Sequence, residues 1–365
     1  MAFYCKICEK WWSHPIRKCI FCGNDVEEVF ETEYNVIGFT KVNVSSPNNE
    51  NVPYFNYLLV DKNGNKIIIK SFEEYQIGDY IKLNDEKTKN NRLIVGVIGT
   101  GQMGLGIAEC ILLHNHEVVL KTRKNGEKII SEMIKKISKN ATVDQISEYI
   151  GNLKVTTDYN NMKDCDIVIE AVVEDINIKK EVFINLSQIC EDKTIFATNT
   201  SSISIDEIAK STKRPEKVIG MHFFNPVSKM KLIEVIIGNK TSKNTQKWVK
   251  KFSRDLNKEP ILVKDSPGFL VNRLLLPQIN EAVLLLEENL ASKEDIEKAM
   301  KLGLNHPMGP FQLADFIGID ICISILEILH QNLHDEKLKP AKMLYDLEKE
   351  GKLGFKKGEG FYKYN

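Results

Sequence analysis

The sequence of 365 residues predicts an α/β domain with a parallel sheet, followed by an all-α domain and preceded by a small β-rich region. Three observations support this prediction. After residue 92, short apolar strands alternate with amphipathic helices, which is typical of a parallel sheet covered on both faces. The last hundred residues keep helical periodicity, whereas the first ninety combine two cysteine pairs with short β-strand patterns.

The overall composition is that of a globular protein, with 42% hydrophobic and 27% charged residues. Lysine and arginine total 50, as do aspartate and glutamate, so zero net charge removes global attraction to nucleic acid or anionic membrane. No apolar run approaches the ~18 residues that a membrane span needs. The N-terminus lacks the apolar core of a signal peptide. We therefore expect a soluble cytoplasmic protein without a nucleic-acid or membrane partner.

Residues 1–29 contain four of the eight cysteines, arranged as two Cys-x-x-Cys turns separated by ten residues. Such turns can close four thiolates tetrahedrally around one Zn²⁺, and a redox role is less favoured because it needs only one motif. Four cysteine ligands leave no open catalytic position, so the predicted zinc ribbon is structural. The expected ligands are Cys5, Cys8, Cys19 and Cys22, whereas the isolated Cys110, Cys165, Cys190 and Cys322 are expected to be buried hydrophobes.

Residues 30–84 contain several short β segments, which predict a small barrel such as an OB-fold. Two of these segments flank an Asn63-Gly64 step, a strong hairpin signal. The polar stretch 85–91 is predicted to be a linker. The cysteine turns followed by GFTKVNVSSP, VPYFNYLLVDKNG and IGDYIKL resemble the acyl-CoA-associated zinc-ribbon/OB-fold family.

Nucleic-acid binding is an alternative for these two modules, because zinc ribbons and OB-folds also perform it. Residues 1–90 hold 11 lysines and arginines against 13 aspartates and glutamates, a net charge of 11 − 13 = −2. A phosphate-binding surface should instead be basic. Trp11 and Trp12 are better explained as cover for a small core than as platforms for bases. We therefore expect a module that contacts CoA, a pathway enzyme or the chain's own active site.

A glycine-rich turn lies between the apolar strand at 93–98 and a predicted helix. It reads Gly99-Thr-Gly101-Gln-Met-Gly104, in the context where GxGxxG indicates dinucleotide binding. The first glycine permits a tight turn, the second lets the backbone approach a pyrophosphate, and the third lets helix and strand pack closely. The helix N-terminus then faces the phosphate charge. Residues 92–265 are therefore predicted to form a Rossmann dinucleotide-binding domain.

A predicted helix at 127–139 lies between the second and third strands, at 117–120 and 166–170. One of its faces is apolar and the other is rich in lysine. A lysine face is usually only solvated, but this one could also meet a phosphate-bearing substrate. Lys135 and Lys136 are the candidates for such a contact.

Three polar segments are candidates for chemistry. Residues 198–202 (Thr-Asn-Thr-Ser-Ser) and 222–226 (His-Phe-Phe-Asn-Pro) follow the ends of two buried strands, where ligands of parallel sheets bind. Residues 267–273 open the long helix that leaves the sheet domain. Taken singly, Ser201 could be a helix cap and His222 a hydrogen-bonded structural histidine. Their occurrence together is the stronger signal.

Seven stretches of residues 92–365 resemble a known family: GTGQMGLGIA, DIVIEAVVED, NTSSISI, KVIGMHFFNPVSKMKLIEVI, SPGFLVNRLLLPQINEA, MKLGLNHPMGPFQLADFIG and GKLGFKKGEGFYKY. They resemble the L-3-hydroxyacyl-CoA dehydrogenases, 3-hydroxybutyryl-CoA dehydrogenases in particular. The resemblance implies reversible reduction of a 3-oxoacyl-CoA, such as acetoacetyl-CoA, to the (S)-3-hydroxyacyl-CoA. It implies that His222 is the catalytic base and that Glu234 is its partner. It also implies that Ser201 and Asn272 make polar contacts to the substrate and the histidine. The expected cofactor contacts are Gly99, Gly101, Gln102, Met103, Gly104, Thr122, Arg123, Glu174 and Asn199.

The implied chemistry is consistent with these residue types. Oxidising a secondary alcohol needs a base that takes the hydroxyl proton while hydride leaves for the nicotinamide, and histidine titrates near neutrality. A carboxylate on the other imidazole nitrogen fixes the tautomer. One alternative is a β-hydroxyacid dehydrogenase acting on a free acid, which would usually rely on a catalytic lysine. A second is a non-catalytic acyl-CoA-binding scaffold, which the intact set of catalytic positions disfavours.

The end of the second strand predicts which dinucleotide binds. NAD-binding Rossmann domains commonly place Asp or Glu there, which accepts hydrogen bonds from ribose hydroxyls. Here that position falls on Thr122, 122 − 99 = 23 residues after the first glycine, and Arg123 follows. Threonine does not repel a 2′-phosphate, and arginine can bind one. We expect NADP(H) to be preferred, with NAD(H) as the alternative if the basic loop is only solvated.

Residues 266–365 are predicted to form a helical substrate and dimerisation domain, with helices at 268–289, 292–302, 309–329 and 340–350. The apolar stretches LLLPQINEAVLLL and FIGIDICISILEIL exceed what one small bundle normally hides. We expect a homodimer through this domain, and a well-packed monomeric bundle is the alternative.

Overall fold

The computed structural model describes residues 2–5, 10–12, 22, 27–29, 33–42, 54–61, 64, 66–71, 74–82, 92–123, 126–138 and 141–364. The chain divides into two compact units, residues 1–91 and 92–365, and each is described by itself. Within the described ranges, no helix has the length and apolar character that crossing a membrane requires.

The strands of the N-terminal unit are β1 (Ala2–Cys5), β2 (Lys10–Trp12), β3 (Glu27–Val29), β4 (Glu33–Val42), β5 (Tyr54–Asp61), β6 (Lys66–Ser71) and β7 (Tyr80–Lys82). They form antiparallel sheets in the orders β2-β1-β3 and β6-β5-β4-β7. The predicted hairpin is present as β5 and β6. Alternate residues of β4 and β5 point into a small core, which consists of Tyr34, Val36, Phe55, Tyr57, Leu59 and Ile81.

The zinc ribbon and the OB-like barrel stay predictions. Cys8 and Cys19 lie outside the described residues, and of Cys5 only the backbone is described, whereas Cys22 is half-buried. In the described part of the chain, no cluster of three or more His, Cys, Asp or Glu side chains could hold a metal ion. Among the described pairings, β6 and β7 are the edges of an open sheet, so closure into a barrel is not among them.

The C-terminal unit is built on a sheet of β8 (Ile94–Ile98), β9 (Glu117–Lys121), β10 (Leu153–Thr156), β11 (Ile167–Glu170), β12 (Ile195–Thr198), β13 (Val218–Phe223), β14 (Leu232–Ile237) and β15 (Glu259–Lys264). Its order is β10-β9-β8-β11-β12-β13-β14-β15. The strands from β8 to β13 run parallel in the 3-2-1-4-5-6 order of a dinucleotide-binding domain. The predicted Rossmann fold is therefore confirmed.

The last two strands correct the prediction of a wholly parallel sheet. β14 pairs antiparallel with β13, because the loop at 224–231 is too short for a parallel crossover. β15 pairs parallel with β14, because a helix intervenes between them. Neither strand was among the predicted ones, although β14 carries a predicted site residue.

The described helices of the sheet domain are α1 (Gln102–Leu113), α2 (Gly126–Ile137), α3 (Val143–Gly151), α4 (Ile176–Ile189), α5 (Ile205–Ala209) and α6 (Lys243–Asp255). Residues of α1, α2 and α6 share one apolar core with one side of the sheet, and residues of α4 and α5 share a second core with the other. Neighbouring strand residues divide accordingly: Val97 belongs to the first core and Ile98 to the second. The sheet is therefore covered on both faces, as predicted.

The C-terminal helices are α7 (Val271–Glu287), α8 (Lys293–Gly303), α9 (Pro310–Ile317), α10 (Ile319–Leu333) and α11 (Lys342–Lys349). They enclose a third core that includes Leu276, Phe311 and Leu326, so the predicted all-α domain is confirmed. The single helix predicted at 309–329 is wrong. Gly318 has φ = 110°, a conformation that favours glycine, and it separates α9 from α10.

Candidate active site

His222 and Glu234 face each other on adjacent antiparallel strands. They are register partners between β13 and β14, and His222 Nδ1 lies 2.7 Å from Glu234 Oε2. Both side chains are buried, and Glu234 is completely inaccessible. A carboxylate at this distance favours the tautomer in which Nδ1–H donates to it, which leaves Nε2 to exchange a proton. The structure thus brings the predicted base and its predicted partner together.

The second carboxylate oxygen of Glu234 fixes the helical domain to this pair. Glu234 Oε1 accepts hydrogen bonds from the backbone N–H groups of Leu270 (3.1 Å) and Val271 (2.9 Å), where α7 begins. Leu270, the residue at the N-cap of α7, makes no side-chain cap hydrogen bond of its own. Glu234 therefore satisfies N–H groups at the helix start that have no partner within the helix, and its charge complements the positive helix end.

The other predicted polar residues lie at the same junction. Asn272, in the first turn of α7, donates from Nδ2 to the carbonyl oxygen of Ser201 at 3.2 Å. Asn199, directly after β12, accepts from the backbone N–H of Phe223 at 2.8 Å. The ends of β12 and β13 and the start of α7 are thereby linked by side-chain hydrogen bonds. Ser201 and Asn272 are adjacent, and the bond between them uses the backbone carbonyl of Ser201.

Glu174 organises the loop that carries Ser201. Its Oε1 accepts from the hydroxyl of Thr200 (2.6 Å), from the backbone N–H groups of Ser201 (2.8 Å) and Ser202 (3.1 Å), and from the Ser202 hydroxyl (3.1 Å). Burial raises the pKa of Glu174, but the Lys179 ammonium and these hydrogen bonds outweigh it, so the net pKa lies below its usual value. Glu174 was expected near the cofactor, and it does line the groove described below.

A buried ion pair supports Glu174 from beneath, and it was not predicted. Lys179 Nζ donates to both carboxylate oxygens of Glu170, at 2.8 and 3.0 Å, and lies 3.3 Å from Glu174 Oε2. The side chains of Lys179 and Glu170 are completely inaccessible, and the Thr198 hydroxyl also donates to Glu170. One signal was available: Lys179 occupies the apolar stripe of α4, in phase with Val182, Phe183 and Leu186.

A groove of about 880 Å³ runs along the carboxyl ends of the parallel strands. Of the predicted cofactor contacts, all but Gly104 line it: Gly99, Gly101, Gln102, Met103, Thr122, Arg123, Glu174 and Asn199. Ser201 also lines it, whereas His222, Glu234 and Asn272 do not. Gly104 is buried against Gly99, which is the close packing expected of the third glycine.

The glycine turn fits the pyrophosphate of a dinucleotide. Gly99 has φ = 114°, and a Cβ on it would collide with the backbone of Ala171. A Cβ on Gly101 would meet nothing within 4 Å, so this backbone can be approached from the groove. No side chain caps the N-terminus of α1, and its first turn holds no acidic residue. The helix therefore presents N–H groups and a positive end to an anion.

The far end of the groove carries positive charge at the end of β9. Thr122 is buried, and its hydroxyl lies 3.2 Å from that of Thr100. Lys121 also lines the groove, with Nζ 4.0 Å from the ring centroid of Tyr159. Burial, together with the charge of Arg123, lowers the pKa of Lys121. Lys121 thus joins the predicted Thr122 and Arg123 at this end of the groove, although it was not predicted.

The helical domain closes part of the groove. Asp320, Ile321, Ser324 and Ile325 of α10 line it, and both carboxylate oxygens of Asp320 accept from Lys356 Nζ at 2.6 Å. None of these residues was predicted, because their role depends on how the helical domain packs on the sheet rather than on a local pattern.

A Rossmann groove in contact with a helical domain, whose lining residue Asn199 is hydrogen-bonded to the strand that carries a buried His–Glu pair, is typical of a nicotinamide-dependent dehydrogenase. The chain belongs to the 3-hydroxyacyl-CoA dehydrogenase family. The model of the family's NAD binding domain matches residues 94–266, and the model of its C-terminal domain matches residues 268–364.

Individual relatives agree with this assignment. A 3-hydroxybutyryl-CoA dehydrogenase of Clostridioides difficile is 48% identical over 278 residues, which cover 74% of this chain and 99% of that protein. The human mitochondrial hydroxyacyl-coenzyme A dehydrogenase is 41% identical over 284 residues, covering 74% of this chain and 90% of that protein. The crystal structure of (S)-3-hydroxybutyryl-CoA dehydrogenase from Ralstonia eutropha superposes with a TM-score of 0.72 at 40% identity, covering 75% of this chain and all of that one. About a quarter of the present chain lies outside these matches.

Proposed function

We propose that the chain catalyses the reversible, NAD(P)-dependent reduction of acetoacetyl-CoA to (S)-3-hydroxybutyryl-CoA. The observation that carries the proposal is the buried His222–Glu234 pair, with Nδ1 and Oε2 2.7 Å apart, on a strand that Asn199 ties to a groove suited to a dinucleotide. The substrate is that of the relatives named 3-hydroxybutyryl-CoA dehydrogenase, among them the Clostridioides difficile protein at 48% identity.

In the reducing direction, His222 supplies the proton to the substrate's 3-oxo oxygen from Nε2, as hydride reaches the carbon. A bound nicotinamide supplies that hydride and takes it back in the reverse direction. Glu234 holds Nδ1–H and stabilises the imidazolium form that donates the proton. In the oxidising direction the neutral imidazole accepts the hydroxyl proton through the same Nε2.

Ser201 and Asn272 are proposed to orient the oxygen as it changes between carbonyl and hydroxyl. Their positions are set from two sides. Glu174 holds the backbone of the Ser201 loop, and Glu234 holds the start of α7, which carries Asn272. The same carboxylate therefore fixes the histidine and the helix that carries the asparagine.

Oxidation of reduced cofactor with acetoacetyl-CoA, compared with acetoacetate, tests the proposed function. We expect turnover of the thioester and none of the free acid, because only the thioester carries the CoA portion whose binding positions the reacting group. Preferential turnover of acetoacetate would support a β-hydroxyacid dehydrogenase instead. Absence of turnover with both compounds would support the alternative of a non-catalytic acyl-CoA-binding scaffold.

We further propose that NADP(H) is the preferred cofactor. Thr122 stands where an acidic residue would bind ribose hydroxyls, and the adjacent Lys121 and Arg123 place two cations at this end of the groove. Charge-assisted bonds to a 2′-phosphate should make kcat/KM for NADPH at least about tenfold larger than for NADH. A preference for NADH would contradict the proposal.

A double variant provides the matched test of cofactor choice. Thr122→Asp with Arg123→Ile should reverse the preference, because it adds a ribose acceptor and removes a phosphate partner. Arg92→Ile is a suitable control, since Arg92 pairs with Glu148 outside the groove and its loss should leave the cofactor ratio unchanged.

Two further expectations concern parts of the molecule beyond the groove. A structural zinc ion held by Cys5, Cys8, Cys19 and Cys22 stays part of the proposal, and metal analysis of the purified protein would detect it.

A homodimer through the helical domain is supported by exposed leucines on its surface, which include Leu274, Leu290, Leu302 and Leu304.

A further inference from the structure

Phe269 lies between β15 and α7, where the chain passes from the sheet domain to the helical domain, and its backbone conformation is unusual for a phenylalanine. Its φ is 51°, in the left-handed region that bulky side chains rarely adopt. The other non-glycine residues with positive φ in the described ranges are of the more tolerant types, namely Asn115, Asn257, Asn289, Asn305 and His334. A phenylalanine kept in this conformation points to a requirement for its ring at this place.

The ring of Phe269 packs against the imidazole of the proposed base. Its centroid lies 5.9 Å from that of His222, and the planes meet at 57°, within the range of favourable aromatic pairs. Phe269 is 2% exposed and belongs to the second core, which α4 and α5 share with the sheet. His222 points to the same face of β13 as Val218, a member of that core, because alternate residues of a strand share a face. Phe269 therefore connects the second core with the imidazole.

The neighbours of Phe269 in the chain fix its position from both sides. Gly268, with φ = 69°, lies so close to α10 that a Cβ would be only 2.8 Å from the side chain of Leu329. The next two backbone N–H groups after Phe269 donate to Glu234 Oε1. Four consecutive residues thus contact α10, His222 and Glu234 in turn, and Phe269 provides the ring contact with the base.

A single hydrogen bond leaves an imidazole ring free to tilt. The contact between His222 Nδ1 and Glu234 holds one atom, and a tilt about that atom moves Nε2 on the other side of the ring. A misplacement of about 1 Å at a reacting group can lower a rate by about 10²-fold. Two aromatic rings beside the imidazole limit such a tilt. Phe224, at 4.6 Å between centroids, is half-buried, whereas Phe269 is anchored in the core.

We propose that Phe269 is a positioning residue for the dehydrogenase reaction, and that its ring sets the orientation of the His222 imidazole. The inference rests on the proposed function, because it takes His222 as the group that transfers the proton. Phe269 does not line the groove, so it acts on the reaction through His222 rather than through contact with the cofactor.

Phe269→Leu tests the role of the ring, and Phe183→Leu is the matched control. Both phenylalanines are buried in the second core, but Phe183 pairs with Phe196, at 6.2 Å between ring centroids. We expect kcat for acetoacetyl-CoA reduction to fall about tenfold in Phe269→Leu, because the ring contact is lost while the other contacts of the imidazole remain. The KM values for cofactor and thioester should stay unchanged. Both variants should unfold at a lower temperature, but Phe183→Leu should keep its kcat.

A double variant separates positioning from general damage to the fold. Adding Phe269→Leu to His222→Gln should cause no further loss of kcat, because the imidazole that Phe269 orients is already absent. Phe269→Met keeps more of the core volume, and it should show the same loss of kcat if Phe269→Leu does not fold.

Three results would contradict the proposal. Multiplication of the two losses in the double variant, or equal kcat in Phe269→Leu and Phe183→Leu, would overturn the positioning role and leave the proposed function intact. Absence of acetoacetyl-CoA turnover by the unmodified protein would overturn both.

Discussion

Replacing His222 with glutamine should lower kcat for acetoacetyl-CoA reduction by at least ~10²-fold, the lower range of general acid–base contributions. Glutamine keeps a polar side chain of similar reach that can still bond to Glu234, but its amide does not donate a proton at neutral pH. The loss should therefore fall on kcat rather than on cofactor binding. Steady-state rates, together with fluorescence titration of the reduced cofactor, measure the two quantities separately.

Glu234→Gln provides a graded comparison. The amide can still bond to His222, but it does not stabilise the imidazolium, so we expect a smaller loss of kcat than in His222→Gln. Near-native kcat in His222→Gln, with unchanged cofactor affinity, would contradict the assignment of the base. An equally large loss in both variants with weakened cofactor binding would indicate structural damage instead.

Replacing Lys179 with methionine should lower the free energy of unfolding by about 3–5 kcal/mol, the usual cost of removing one partner from a buried ion pair. The variant leaves the inaccessible Glu170 without its ammonium partner, and it removes the cation that lowers the pKa of Glu174. Thermal and denaturant unfolding of the full chain, followed by a signal from its C-terminal unit, would measure the effect.

The adjacent lysine supplies the control for this variant. Lys180 is partly exposed and lies 3.6 Å from Glu207, so Lys180→Met should cost less than about 1 kcal/mol. Adding Glu170→Gln to Lys179→Met should recover part of the loss, because the buried charge disappears with its partner. Equal stability of Lys179→Met and Lys180→Met would contradict a stabilising role for the buried pair.

Local patterns were sufficient to predict the framework of the site. The glycine turn between a buried strand and a helix identified the dinucleotide-binding region, because each glycine meets a steric requirement within a few residues. His222 and Glu234 were paired through a family resemblance rather than through spacing. Their contact depends on the antiparallel strand β14, which was not predicted, because a short apolar segment does not reveal its partner.

The residues that were missed depend on long-range packing. Lys179 belongs to the apolar stripe of α4, where a lysine is acceptable only because Glu170 lies opposite on a different element. The break at Gly318 was missed because apolar periodicity continues across it, although its backbone conformation does not continue the helix. The α10 side chains that line the groove reach it only through domain packing.

The central claim is that His222 transfers the proton when acetoacetyl-CoA is reduced. The most direct measurement is a single-turnover reaction in which reduced cofactor and acetoacetyl-CoA are mixed with excess protein and the product is identified by chiral chromatography. The unmodified protein should convert the substrate to (S)-3-hydroxybutyryl-CoA with one cofactor oxidised per thioester, and His222→Gln should bind both ligands but react at least ~10²-fold more slowly. Formation of the same product at equal rates by both proteins would contradict the claim.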